Sequence, residues 1–122
     1  MKTQFLLPLP VSLNRLYRST RKQTGVYLSA EGKGWHDEAA IEINLQRVPH
    51  MTPPYRVEYA AGRPDNRRRD IGNIEKILSD CLQKSEVITD DREISDMRLL
   101  WADDVPAGKV RVTIESIQVR EV

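Results

Sequence analysis

Between residues 55 and 82 the chain changes its hydrophobic period once, and that change constrains the fold more than any other feature of the sequence. In "YRVEYAA", Tyr55, Val57, Tyr59 and Ala61 fall on one side and Arg56 and Glu58 on the other, the two-residue period of a half-buried strand. The turn-rich "GRPDNRRRD" follows. Then Ile74, Ile77, Leu78, Cys81 and Leu82 recur at the i, i+3, i+4, i+7, i+8 spacing of an amphipathic helix, with Asn73, Lys76 and Asp80 aligned on its opposite side. A strand that feeds a helix, in a chain of 122 residues, predicts one α+β domain around a single core.

The remaining elements fit around this unit. Lys2 to Leu7 reads as a short strand stopped by Pro8 and Pro10, "VSLNRLYRSTRKQTG" as an irregular basic loop, and "VYLS" as another short strand. Ser29 and Glu31 suit a helix entry that Gly32 and Gly34 weaken. From Trp35 to Arg47 the apolar residues make two stripes, Trp35, Ala39, Ile43 and Ile41, Leu45, Val48, which predicts a helix packed on more than one side. Strands at about 93–101 and 109–119 flank "DDVPAGK", whose proline and glycine suit a hairpin. The apolar parity of the last strand breaks at Ser116, where a bulge or a change of environment is expected. The fold class is α+β, with a small mixed sheet of four or five strands and two main helices.

Composition narrows the chemistry. Cys81 is the only cysteine, so an intrachain disulfide and a multi-cysteine zinc site are excluded; His36 and His50 are the only histidines. Any metal is therefore held by oxygens. No apolar run approaches the ~20 residues of a spanning helix, and "FLLPLPV" is too short and proline-rich for a signal peptide, so the expectation is a cytoplasmic protein with no membrane partner.

The net charge of +1 says little, but its distribution says more. Residues 1–34 carry Lys2, Arg15, Arg18, Arg21, Lys22 and Lys33 against Glu31 alone, and Arg63, Arg67, Arg68 and Arg69 stand against Asp65. Residues 86–104 reverse the sign through seven acids, among them Asp90 and Asp91, against Arg92 and Arg98. A basic surface beside an acidic locus suits a protein that grips a polyanion while holding a divalent cation. Each feature also has a plainer account. Asp70 could cap the helix that follows, Asp90 and Asp91 could form a solvated turn, and the three arginines could be a solvated loop. Three like charges in a row nevertheless repel, and a fold gains nothing from them without an anion.

The segment "RRRDIGNIEKILSDCLQKSEVITDDREISD" resembles the core motif of the RusA family of Holliday junction resolvases. That motif is an arginine run, Asp-x-Asp-Asn-x-x-Lys, a helix, and an Asp-Asp pair before a strand. "LNRLYR" and "SAEG" are similar to the family's amino-terminal segment, in order and at compatible spacing, and only about 35–62 is generic. The resemblance implies a small α+β homodimer that binds four-way DNA junctions and cuts two opposed strands, using Mg2+ or Mn2+. Carried over by position, Asp70 and Asp91 are metal-binding catalytic acids, with Asp90 a further metal candidate, and Lys76 contacts phosphate or acts in catalysis. Arg67, Arg68, Arg69 and Asn73, with Arg15 and Arg18 as weaker candidates, contact DNA. A third family acid falls at residue 72, where this chain has Gly72. Binding is thus expected and cleavage is expected to be impaired unless Asp90 or Glu75 compensates; the alternative is a junction-binding protein without nuclease activity. A structural domain whose basic loop meets an acidic protein surface is a third possibility.

Overall fold

The computed structural model describes residues 1–10, 17–19 and 26–118. Its elements in chain order are β1 (Lys2–Pro8), β2 (Tyr17–Ser19), β3 (Val26–Leu28), α1 (Ala30–Leu45), β4 (Tyr55–Ala61), α2 (Glu75–Lys84), β5 (Ile94–Trp101) and β6 (Lys109–Ser116). Short 3-10 turns, Ile71–Ile74 and Asp91–Glu93, precede α2 and β5. Four strands form a mixed sheet in the order β1-β6-β4-β5, and β2 and β3 form a separate antiparallel pair. The stretch expected to be an irregular basic loop therefore contains a strand. Arg15 and the side chain of Arg18 lie outside the described residues.

The strand and helix anticipated from the change of period lie at the centre of the fold. β4 and β5 are parallel, in register from Arg56 with Asp96 to Ala61 with Trp101, and α2 makes the crossover between them. Tyr55, Val57, Tyr59 and Ala61 of β4, Val110, Val112 and Ile114 of β6, and Phe5 and Leu7 of β1 are buried. They meet Ile77, Leu78, Cys81 and Leu82 of α2 and Trp35, Ala39 and Ile43 of α1 in one core. Truncating a fully buried residue such as Leu78 to alanine would cost about 2–5 kcal/mol. On the other side of the sheet, Arg56 pairs with Asp96 at 2.9 Å and Glu115 at 3.7 Å, and Glu58 pairs with Arg98 at 3.6 Å and Arg111 at 3.9 Å. That side faces water.

Two expectations are overturned. β5 and β6 are not a hairpin, because β4 lies between them, parallel to one and antiparallel to the other. The connection 102–108 crosses the end of β4 so closely that a Cβ on Gly62 would stand 2.2 Å from the Pro106 carbonyl oxygen. Only glycine fits under that crossing. In α1 the second apolar stripe is not packed: Ile41 is 58% and Leu45 71% exposed. Val48 of that stripe does pack on the core, but from beyond the helix, after the chain turns at Arg47 with φ 53°.

Other details follow from local chemistry. α1 starts at Ala30, ahead of both glycines, because the Ser29 hydroxyl caps it by accepting from the Gly32 amide at 3.0 Å. The parity break at Ser116 is the end of β6 rather than a bulge.

Candidate active site

The site forms where the parallel strands β4 and β5 end and the chain turns back into α2. Asp65 organises this loop. Its carboxylate accepts from the Arg67 amide at 3.0 Å and from the Arg69 guanidinium at 2.9 Å, with the Arg67 side chain at 3.9 Å. These contacts, the Arg69 hydrogen bond foremost, hold the Asp65 carboxyl below its ordinary range. The arginine run is thus partly balanced from within the loop by Asp65.

Asp70 then caps the 3-10 turn. Its Oδ1 accepts from the Gly72 amide at 2.9 Å, and its carbonyl accepts from the Asn73 amide at 3.2 Å. The capping account of Asp70 is therefore correct as local structure. It leaves Oδ2 without a hydrogen bond to another described residue. Arg68, Arg69, Asp70 and Asn73 line one cleft of about 240 Å³ together with Leu9, Pro10, Ile74 and Trp101. Lys76 lies one turn beyond Asn73, exposed and 3.7 Å from Asp80, on the polar face anticipated from the helical spacing.

Asp91 is placed differently. Its amide donates to the Gln83 side chain at 3.1 Å, which ties it to the last turn of α2, and it does not line the described cleft. Asp90 accepts from the Arg92 amide at 2.9 Å and from the Arg92 guanidinium at 2.8 Å. That hydrogen bonding pulls the Asp90 carboxyl down to about 2. Beneath the start of α2 runs a buried polar chain. The Tyr59 hydroxyl meets Ser79 Oγ at 2.8 Å, and Ser79 donates to Glu75 Oε1 at 2.8 Å. Burial raises the Tyr59 phenol well above its ordinary value; the Ser79 hydrogen bond lowers it, and the Glu75 and Asp91 carboxylates add to the rise.

Among the described residues no three His, Cys, Asp or Glu side chains gather as a metal cluster. The oxygen donors present nonetheless suit a hard divalent ion, which needs only one or two protein carboxylates with water for the rest. Gly72 shows where another would stand: a Cβ there would meet only Asp70 Oδ1, at 3.2 Å. Asp70 fits as a ligand, whereas Asp90 would first have to leave Arg92.

Sequence reasoning did not place Leu9, Pro10, Ile74 or Trp101 at the site. Trp101 could have been either core or dimer contact. Its alignment with Ala61 at the ends of the parallel strands, which brings it to the arginine loop, depends on a strand order that the local sequence does not encode.

The sequence comparisons bear on family membership. The family model for endodeoxyribonuclease RusA matches residues 8–115. The crossover junction endodeoxyribonuclease RusA of Escherichia coli strain K12 is 34% identical over 109 residues, covering 88% of this chain and 89% of that protein. That of Enterobacteria phage 82 is 33% identical over the same shares, and that of Enterobacteria phage HK97 is 32% identical over 116 residues, 94% of this chain and 95% of its own. With its α+β architecture, the arginine loop leading into Asp70 and a match that spans most of its length, the chain belongs to the RusA family of endodeoxyribonucleases.

Proposed function

We propose that this chain acts on four-way DNA junctions, binding them as a homodimer and hydrolysing a phosphodiester in each of two opposed strands with Mg2+ or Mn2+. The observation that carries this reading is the cleft in which Arg68 and Arg69 stand beside Asp70 and Asn73. The guanidinium groups, with Arg67 at the loop's outer side, hold backbone phosphates, and Asn73 fixes a neighbouring phosphate or sugar oxygen. Phosphate contacts position the duplex arms without reading them, so preference for a junction comes from shape and from the spacing of two sites in a twofold dimer. Asp70 would hold the ion; Asp91, which the family motif assigns as the second acid, does not line the cleft with it, and Asp90 is a further candidate once freed from Arg92. A bound divalent ion polarises the phosphate and makes water a better nucleophile near neutral pH. The Lys76 ammonium, exposed next to Asn73 on the helix face, offsets negative charge that develops on the phosphate. No described helix is long and apolar enough to cross a membrane, and the activity belongs in the cytoplasm, with DNA.

Gly72 favours a second reading, binding without efficient cutting. With glycine where the family motif has a carboxylate, the ion has one ligand fewer, while the arginine loop is intact. Retained binding with impaired cleavage is the version we adopt. Equilibrium competition tests it: a labelled four-way junction is challenged with unlabelled junction and with linear duplex of the same sequences. Displacement by junction at much lower concentration supports the reading, and equal displacement by both removes it.

A further inference from the structure

The cleft at Asp70 has one wall that phosphate binding does not use. Leu9, Pro10, Ile74 and Trp101 line it together with Arg68, Arg69 and Asn73, so apolar and cationic groups share the cleft. Trp101 is the last residue of β5 and only partly buried, and the Arg63 guanidinium stacks over its ring at 4.8 Å. Its indole N–H makes no hydrogen bond to another described residue. Trp35, the other tryptophan, is 5% exposed and donates to the Pro8 carbonyl at 3.2 Å, as a core indole ordinarily does. Trp101 is thus a large aromatic group lining the cleft that Arg68 and Arg69 share, with its polar atom unspent.

We propose that this apolar wall receives a nucleobase of the bound junction, unstacked beside the phosphate held at Asp70, with Trp101 as its stacking platform. The inference rests on the junction-binding reading and adds a residue that sets base preference near the cut. Three observations select a base over other occupants. Arg63, Arg68 and Arg69 outnumber Asp70 around the cleft, which favours a visitor attached to a polyanion. The apolar wall and the arginines share one cleft of about 240 Å³, so the flat apolar group is attached to the phosphate chain itself. A guanidinium already lies on the indole, and such a stacked pair offers a planar surface of the kind that unpaired bases use in single-strand recognition. When the arms of a junction open, bases at the exchange point lose their coaxial stacking partner, and a base without a neighbour costs less to extrude than one within an arm.

The test is a scan of the intact protein against four-way junctions in which single nucleotides around the exchange point are replaced, one at a time, by abasic residues. Binding of the unmodified protein should fall by roughly 5- to 100-fold at one position, the range for loss of a base–aromatic stack. Trp101→Ala should bind the unmodified junction more weakly by a similar factor and be indifferent to the abasic residue there, whereas Trp101→Phe should keep most of the coupling. An abasic profile of Trp101→Ala that matches the unmodified protein would overturn the proposal. So would a uniform loss at every position, or a loss that Trp101→Phe does not relieve. If the unmodified protein does not distinguish junction from duplex at all, the junction reading fails. A protein that prefers junctions but lacks any position-dependent loss refutes the base-binding wall alone.

Discussion

The Gly72 amide donates to Asp70 Oδ1 at 2.9 Å, and a Cβ on Gly72 would approach that same oxygen to 3.2 Å. The position where the family motif has an acid therefore adjoins the carboxylate it would work with. Gly72 does not have the positive φ that would strain an aspartate, so Gly72→Asp needs only a few tenths of an ångström of movement from Asp70. Without metal, two adjacent carboxylates repel, and the melting temperature should drop by a few degrees, consistent with about 4–8 °C per kcal/mol for domains of 60–100 residues. Millimolar Mg2+ should recover that loss in Gly72→Asp and change the unmodified protein less. Thermal scans with and without Mg2+ check this, and identical responses of the two proteins would contradict it.

Arg67, Arg68 and Arg69 carry most of the positive charge of the loop, with Arg63 supplying the rest. Replacing all three by alanine should weaken junction binding and reduce the slope of log affinity against log salt by about 0.9 for each phosphate that is no longer neutralised. Because Asp65 accepts from Arg69, the single change Arg69→Ala should also let the Asp65 carboxyl rise towards its ordinary value, visible by NMR titration. Binding isotherms over a range of salt give the slope, and an unchanged slope would remove the loop from the DNA interface.

Asp90 and Arg92 predict a pH dependence with a definite sign. The folded Asp90 carboxyl, pulled down to about 2 from 3.8 by hydrogen bonds from Arg92, favours the folded state wherever it is ionised. That contribution is complete above the unfolded value and is lost as pH falls from about 4 through about 2. In Arg92→Ala the Asp90 titration should move back towards the ordinary carboxyl range. Side-chain NMR of the two proteins decides it.

The buried chain Tyr59–Ser79–Glu75 sets a stability expectation. Tyr59→Phe removes the hydroxyl that meets Ser79 at 2.8 Å while leaving the ring in the core, and Ser79 keeps its bond to Glu75. The loss should be about 1 kcal/mol, measured by urea unfolding, with little effect on junction affinity.

How much of this was legible in the sequence depended on how far apart the interacting residues lie. The period of β4 and the stripe Ile74, Ile77, Leu78, Cys81, Leu82 each reflect burial of one local face, so the strand and the helix were readable. The Ser29 cap was readable too, because capping acts within a single turn. Which strands pair is a non-local matter: "DDVPAGK" has the same turn chemistry whether its strands pair directly or, as here, across an inserted β4. Ile41 and Leu45 matched a helical stripe but met no partner, since spacing records a face and not what covers it. At the site, Asp70 and the arginines were marked by their adjacency in the sequence and Asn73 by the family resemblance, whereas Trp101 and Leu9 reach the cleft through sheet order alone.

We propose that Asp70 belongs to a nuclease site short of one carboxylate, at residue 72. Cleavage of an end-labelled four-way junction in Mg2+ and in Mn2+, by the unmodified protein, Asp70→Asn and Gly72→Asp, tests it most directly. Weak nicking is expected from the unmodified protein, none from Asp70→Asn despite retained binding, and a clear gain from Gly72→Asp. Vigorous symmetric cutting by the unmodified protein would contradict the claimed deficit, and no cutting even by a folded, junction-binding Gly72→Asp would contradict the assignment of the site.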